Sequence, residues 1–450
     1  MSTADDTGAF PGLAGRKPAT AASTTTPTDT PAASAAPLWV IAVSVIMLLI
    51  FSRSWITALV GPSVDAEAST LTRTLFFPAY GLALLLLVTD PRRGLNAAIA
   101  GVLPLALVLA AFASTTWSIA PDLTARRALA LLFTTLGSVA LAARLSWRDM
   151  ARVLAATFGL LAVGSTVAAV ALPHFGRMTE LFPGAWRGLW QDKNALGDYM
   201  ALGVCAAAGA AVLDRRLRGL WIGTAVLCLA LIVLSTSKTS LVSLAAGAGA
   251  FCVVALARRS PAVAAATVLG VAAAILAAGL VVFLHPHLIF NLLGRDATLT
   301  GRTVIWEAVL RRIAERPVTG FGYAVVWNDA SGWGPLAWIA KEAQFTPHHA
   351  HNSWLEAELE LGYAGVALLA AFAVQTGVRL LRAGEGAWLA APILAAFFVA
   401  TLTETVTLNY NDFLWVIVPA LAIRLGLRDA ASGAASKPSA VPQPERPWSA

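Results

Sequence analysis

The sequence predicts an all-α polytopic integral membrane protein with about twelve transmembrane helices and one large loop on the outer side. Of its 450 residues, 58% are hydrophobic and 13% charged, against roughly 25% charged in an average soluble domain; a soluble globule is excluded. The apolar residues gather in runs, and at about 20 residues per span they suffice for about twelve. The net charge of +7 comes from Lys and Arg placed in pairs between the runs, a distribution that suits a lipid bilayer and speaks against nucleic acid as a partner.

Residues 1–37 are rich in Ala, Thr, Ser and Pro and lack the pattern of a secretory signal, so they read as a disordered cytoplasmic tail. Apolar runs follow at 38–54, 73–89, 95–115, 124–142, 150–172, 194–213, 219–236, 238–257 and 262–284, which make up a bundle over 38–284. Three more, at 363–382, 387–405 and 411–427, fall in the segment 362–428, before a second disordered cytoplasmic tail at 429–450. Ala- and Gly-rich stretches such as Ser243 to Gly249 favour close helix contact. The three cysteines, Cys205, Cys228 and Cys252, sit inside apolar runs and imply no disulfide framework.

With a cytoplasmic N-terminus, every short inward loop carries at least two arginines: Arg92 and Arg93, Arg144 and Arg148, Arg215, Arg216 and Arg218, Arg258 and Arg259, Arg379 and Arg382. Residues 285–361 then form the long outward loop, and all six histidines fall in outward segments. Arg126, Arg127, Lys193 and Lys238 lie at outward span ends, where they either snorkel to headgroups or meet an anion.

Chemistry is expected in the long loop. Thr298 or Thr300 can cap a helix that carries Val304, Ile305, Val309 and Ile313 on one side and stops before Pro317. Arg295 and Arg302 would lie at its start, where a planar guanidinium and the helix dipole favour a phosphate; a salt bridge from Arg302 to Asp296 or Glu307 is the alternative. The loop closes on TPHHAHNSWLEAELELGYAG, with a helix expected from about Asn352 that sets His351, Trp354, Leu355 and Glu358 on one face. His351 can deprotonate a hydroxyl near neutral pH, or cap and pack the helix. His348, His349 and His351 have no nearby cysteine or spaced carboxylate to complete a metal set, so no metal is expected. Lys193 and Asn194 stand near the start of the sixth run. Lys238, in STSKTS, sits so close to hydrocarbon that it needs a partner or an anionic ligand, and Glu404 is a candidate partner.

In order along the chain, WSIAPDLTARR (117–127), GLWQDKNALG (188–197), STSKTS (235–240), GRDATLTGRTVIW (294–306), RPVTGFGY (316–323) and HNSWLEAELELG (351–362) resemble motifs of the O-antigen ligase and polysaccharide polymerase superfamily. Within it they are closest to the exopolysaccharide polymerase-like branch. The last motif has that family's histidine, ten residues, then glycine, here His351 and Gly362. The resemblance covers roughly residues 95–424 and implies a bundle of about twelve spans with a large periplasmic loop over it, in the bacterial inner membrane with both termini cytoplasmic. It also implies a metal-independent, cofactor-free, inverting glycosyltransferase acting on undecaprenyl-diphosphate-linked glycan. By that analogy His351 is the base and Arg302 contacts the diphosphate. Lys193, Asn194, Lys238, Arg295, Arg126, Arg127 and Asn352 then bind substrate, and a chain-length regulator and other assembly proteins are partners. STSKTS departs from the usual arginine at the Lys238 position, which keeps the charge and loses the fork. Polymerisation of repeat units is the leading expectation. Ligation to lipid A-core or another acceptor is the alternative; a transporter would instead place charges or broken helices at mid-membrane depth.

Overall fold

The computed structural model describes residues 35–60, 70–179, 182–267, 269–271, 273 and 297–427. Among the described residues there is no β-strand, and one isolated bridge joins Arg177 to Trp186. The principal helices are α1 (Leu38–Phe51), α2 (Phe77–Val88), α3 (Pro91–Ala100), α4 (Val102–Ala113), α5 (Pro121–Arg144), α6 (Trp147–Ala171) and α7 (Lys193–Leu213). They continue with α8 (Arg218–Ser235), α9 (Lys238–Ala257), α10 (Ala297–Ile313), α11 (Pro335–Ala343), α12 (Ser353–Leu381), α13 (Ala387–Ala400) and α14 (Phe413–Gly426).

Each of the twelve apolar runs carries helix on its described residues, yet they are unequal. Six helices, α5 to α9 and α12, are each long and apolar enough to cross a membrane, and Thr72–Val88 with Pro91–Ala100 makes a seventh if their 106° bend lies within one span. The helices α1, α4, α13 and α14 are apolar but shorter. The run expected to start at residue 95 begins as a span only at Val102. Before it, α3 is a separate amphipathic helix, capped by the Asp90 carboxylate accepting from Arg93 N. The chain turns at Gly101, where a side chain would meet Ile423 at 2.9 Å.

One end of the bundle is tied by arginines, of which Arg148 and Arg379 are among those expected inside. The Asp214 carboxylate, with no exposed surface, takes Arg152 at 2.8 Å and Arg148 at 2.9 Å. The Arg152 hydrogen bond, with those of Arg148 and Trp221, holds that carboxyl well below the usual range against its burial. Arg379 donates to the helix-end carbonyls of Ala100 and Ala422, at 2.8 and 3.0 Å, and Arg424 Nε donates to Leu145 O at 3.1 Å.

At the other end, the described part of the long loop folds into a layer with its own apolar core of Ile305, Val309, Ile313, Phe321, Ile339 and Leu359, distinct from that of the bundle. Val304, expected on the apolar face, is 37% exposed. The helix α10 starts at Ala297, ahead of both expected caps, so Arg302 lies in its second turn rather than at its N-terminus and the helix-dipole argument for it falls away. Arg295 lies outside the described residues.

The segment RPVTGFGY fastens this layer down on both sides. Phe321 O accepts from Ile119 N at 3.0 Å, Thr319 O from Trp117 Nε1 at 2.8 Å, and Tyr323 N donates to Ser114 Oγ at 3.0 Å. On its other face Phe321 N donates to Leu359 O at 2.9 Å, Gly322 N to Glu360 O at 3.0 Å, and Tyr363 N to Pro317 O at 2.9 Å. The contact requires Gly362, which breaks the α12 helix at φ 63°, ψ −160° and whose added Cβ would stand 2.3 Å from Val318 O. This backbone region is essentially reserved for glycine. Gly362→Ala is therefore expected to cost at least about 3 kcal/mol from strain and clash together. The check is the melting temperature of purified protein, with Gly219→Ala, which meets nothing within 4 Å, as the neutral control.

Candidate active site

The site begins at the N-terminus of α12. Asn352 caps it, its Oδ1 accepting from Trp354 N at 2.9 Å and Leu355 N at 3.1 Å. His351 thus stands ahead of the helix instead of sharing the expected face with Trp354, Leu355 and Glu358, and its φ of 51° is left-handed. Neighbours hold that conformation: Ala350 N donates to Glu356 Oε2 at 2.9 Å, and Ala350 O accepts from Trp306 Nε1 at 2.8 Å. A non-glycine residue fixed at positive φ is strain of the kind that collects at functional sites.

The turn between α13 and α14 is laced to this cap. Ser353 N donates to Thr401 O at 2.9 Å, Ser353 Oγ to Glu404 O at 2.8 Å, and Val406 N to Ser353 Oγ at 2.9 Å. That lacing delivers Glu404 to His351. Glu404 Oε2 lies 3.0 Å from His351 Nδ1, and Glu404 Oε1 accepts from Arg302 Nη2 at 2.6 Å. Burial raises the Glu404 carboxyl, but the His351 hydrogen bond and the Arg302 charge outweigh it and hold the group below the usual carboxylate range. An ionised carboxylate accepts, so the neutral imidazole carries its proton on Nδ1 and presents a bare Nε2. The imidazole is 32% exposed against 14% for Glu404, so the free nitrogen is reachable while its anchor is sheltered.

His349 packs against His351 with ring centroids 3.9 Å apart. Burial and the charges of His351 and Arg302 push its imidazole down to about 3, so it is neutral, and its Nδ1 meets no hydrogen-bond partner among the described residues. Donor atoms of His349, His351 and Glu404 lie within 4.8 Å of one another, a spacing that could hold a metal ion. The sequence argument against a metal, that no carboxylate completes the set, is thereby corrected: Glu404 completes it from 53 residues away. What distinguishes this carboxylate is that a guanidinium already occupies one of its oxygens.

Other candidates form a second group at the facing ends of α7 and α9. Lys193 Nζ reaches Thr236 O and Oγ1 at 3.4 Å and lies 3.8 Å from the Phe182 ring centroid. Asn194 Oδ1 accepts from Ser237 Oγ at 3.0 Å, and Ser240 Oγ donates to Asp198 Oδ1 at 2.7 Å. Lys238, the exposed first residue of α9, belongs to the same junction. Gly197 permits it, since a Cβ there would sit 2.3 Å from Ser240 Oγ. The Asp198 carboxylate of this junction lies near enough to Glu404 and Arg302 to feel their charges. Glu404, a candidate for Lys238, pairs instead with His351 and Arg302. Arg127 donates to Ala324 O and covers the Tyr410 ring at 5.4 Å, while Arg126 Nε donates to Asp122 O at 3.2 Å, so both lie on α5 apart from the histidine.

The profile of the O-antigen ligase family matches residues 223–370, a stretch that contains STSKTS, Arg302 and the whole His351–Gly362 motif. The chain is also similar to the exopolysaccharide production protein ExoQ of Rhizobium meliloti, 29% identical over 304 residues, which span 64% of this chain and 67% of that protein. Residues 223–370 are thus similar to the O-antigen ligase family. The matched stretch stops short of Glu404, so the residue that orients the histidine lies beyond it. Sequence reasoning missed Glu404 in that role; the available signal was a lone acid in TLTETVTLN, a polar interruption on the same side as the histidines.

Proposed function

We propose that this protein is a membrane glycosyltransferase that polymerises undecaprenyl-diphosphate-linked repeat units of an exopolysaccharide on the periplasmic side of the bacterial inner membrane. Both its termini are then cytoplasmic. The single observation that carries the reading is the chain Arg302–Glu404–His351, in which one carboxylate fixes both a base and a cation. His351 Nε2 takes the proton of an acceptor hydroxyl. The resulting oxygen attacks the anomeric carbon, and the bond from that carbon to the diphosphate oxygen breaks with its electron pair leaving on the diphosphate. The configuration inverts. Arg302, with its remaining N–H groups, and the lysines Lys193 and Lys238 stabilise that charge, which a metal would otherwise have to do.

The ligase reading is kept alive by the family profile, which is described as O-antigen ligase. In it the same donor is cleaved and lipid A-core or another molecule supplies the hydroxyl. Purified protein in detergent, given lipid-linked repeat units alone and an excess of chelator, is expected to extend them into chains. Loss of transfer on chelation, restored by a divalent cation, would move the cation role from Arg302 to an ion on His349, His351 and Glu404; no elongation without a second kind of acceptor would make the protein a ligase.

A further inference from the structure

Three groups able to bind a metal converge from two parts of the chain: His349 and His351 from the stretch before α12, and Glu404 from the turn between α13 and α14. The residue between the two histidines is held by both its backbone groups, Ala350 N on Glu356 Oε2 and Ala350 O on Trp306 Nε1, so the pair of imidazoles is fixed against the outer layer. Glu404 is fixed in turn by the lacing of its segment to Ser353. One donor is left over. His349 Nδ1 is buried and meets no hydrogen-bond partner among the described residues, although burying a polar atom unpaired is costly. The proposed transfer makes no use of it.

The partners already present leave room for an ion. Arg302 takes Glu404 Oε1, while Glu404 Oε2 faces His351 Nδ1 at 3.0 Å across a single proton. Zinc bonds of about 2.0 to 2.2 Å to nitrogen and oxygen put tetrahedral ligand atoms about 3.4 Å apart. Here the donors lie within 4.8 Å of one another, so small turns of the rings and the carboxylate close the set. Two imidazoles and one carboxylate make a zinc set with one open position, whereas magnesium prefers oxygen ligands alone.

We infer that His349, His351 and Glu404 bind a zinc ion that inhibits glycan transfer. The inhibition rests on the reading of His351 as the base, and the binding does not. Through Nε2 of His351 the ion covers the nitrogen that would take the acceptor proton. Through Nδ1 it drives the ring proton to Nε2, with no net proton lost, and leaves an N–H where the base offered a lone pair. By either route the base is gone.

The test uses untagged full-length protein, stripped with chelator, dialysed and titrated with zinc. One ion per chain is expected, and a hundredfold excess of magnesium should leave it in place. The X-ray absorption spectrum of the zinc-loaded wild type should show two imidazole ligands, a reading that needs no variant. His349→Gln should weaken binding at least about a hundredfold, because even outer-shell partners are worth about 10- to 100-fold; His348→Gln, at the exposed neighbour, should not. Saturating zinc should slow glycan transfer by the wild type at least about a hundredfold, as expected for loss of a general base, and chelator should restore it. No stoichiometric ion, binding unchanged in His349→Gln, a spectrum without two imidazoles, or displacement by magnesium would each overturn the site. Bound zinc that leaves transfer unchanged or raises it would overturn the inhibition. A protein that binds zinc and loses transfer, but never joins repeat units into chains, fails the polymerase reading and not this one.

Discussion

A strain deleted for this gene and complemented with His351→Ala is expected to make no high-molecular-weight polysaccharide and to accumulate lipid-linked single repeats, with the variant present in membranes at wild-type level. The expectation follows from geometry: the imidazole is held by its hydrogen bond to Glu404 and is 32% exposed, so its removal deletes a base without unpacking a core. General-base removal costs about 10²- to 10⁴-fold in rate, enough to leave no visible polymer. Arg302→Ala should give the same profile. Long lipid-linked chains in place of single repeats would identify a ligase, and normal polymer from both variants would remove the site.

Glu404→Gln is the second large effect, and it separates orientation from charge. A glutamine amide can still accept from Arg302, but toward His351 it presents an N–H, which forces the imidazole to accept at Nδ1 and to carry its proton on Nε2. The base is then blocked in the wrong tautomer, and transfer should fall about 10²- to 10⁴-fold with little change in folding. The variant also has a pH signature. The folded-state carboxyl of Glu404 lies below its unfolded value, near 4.3 for an ordinary glutamate. Its stabilising contribution is therefore complete above that unfolded value and is lost as pH falls through the lower folded one. Wild-type protein should lose thermal stability over that acidic window, and Glu404→Gln should lose less. Equal acid sensitivity in the two proteins would mean that Glu404 does not hold the outer layer in place.

The helices were legible because apolar runs report burial in lipid or protein directly, and all twelve runs carry helix where the structure describes them. Their lengths were not, since Gly101 and Gly362 redirect the chain through contacts with Ile423 and Val318 that no local pattern discloses. His351 and Arg302 were legible as residue types in a polar loop, and their meeting was not: it depends on Glu404, separated from His351 by two helices. The motifs themselves become intelligible as pairs. WSIAPDLTARR and HNSWLEAELELG grip the two faces of RPVTGFGY, while GLWQDKNALG closes on STSKTS through Gly197 and Ser240. Each motif is half of a contact, which is why a linear reading sees the pieces and not their purpose.

The outer layer and the bundle have separate apolar cores, and α12 is the element that passes from one to the other through Gly362. Two cores pinned together mainly by the RPVTGFGY hydrogen bonds and the Arg302–Glu404 pair make two folding units of unequal size. The smaller, with less apolar surface to bury, should open first. A protease added to purified protein would then cut within 297–350 while the bundle stays whole, and a ligand held by His351 and Arg302 would suppress that cleavage. Sensitivity to trimming thus becomes a reporter of substrate occupancy that needs no chemical step.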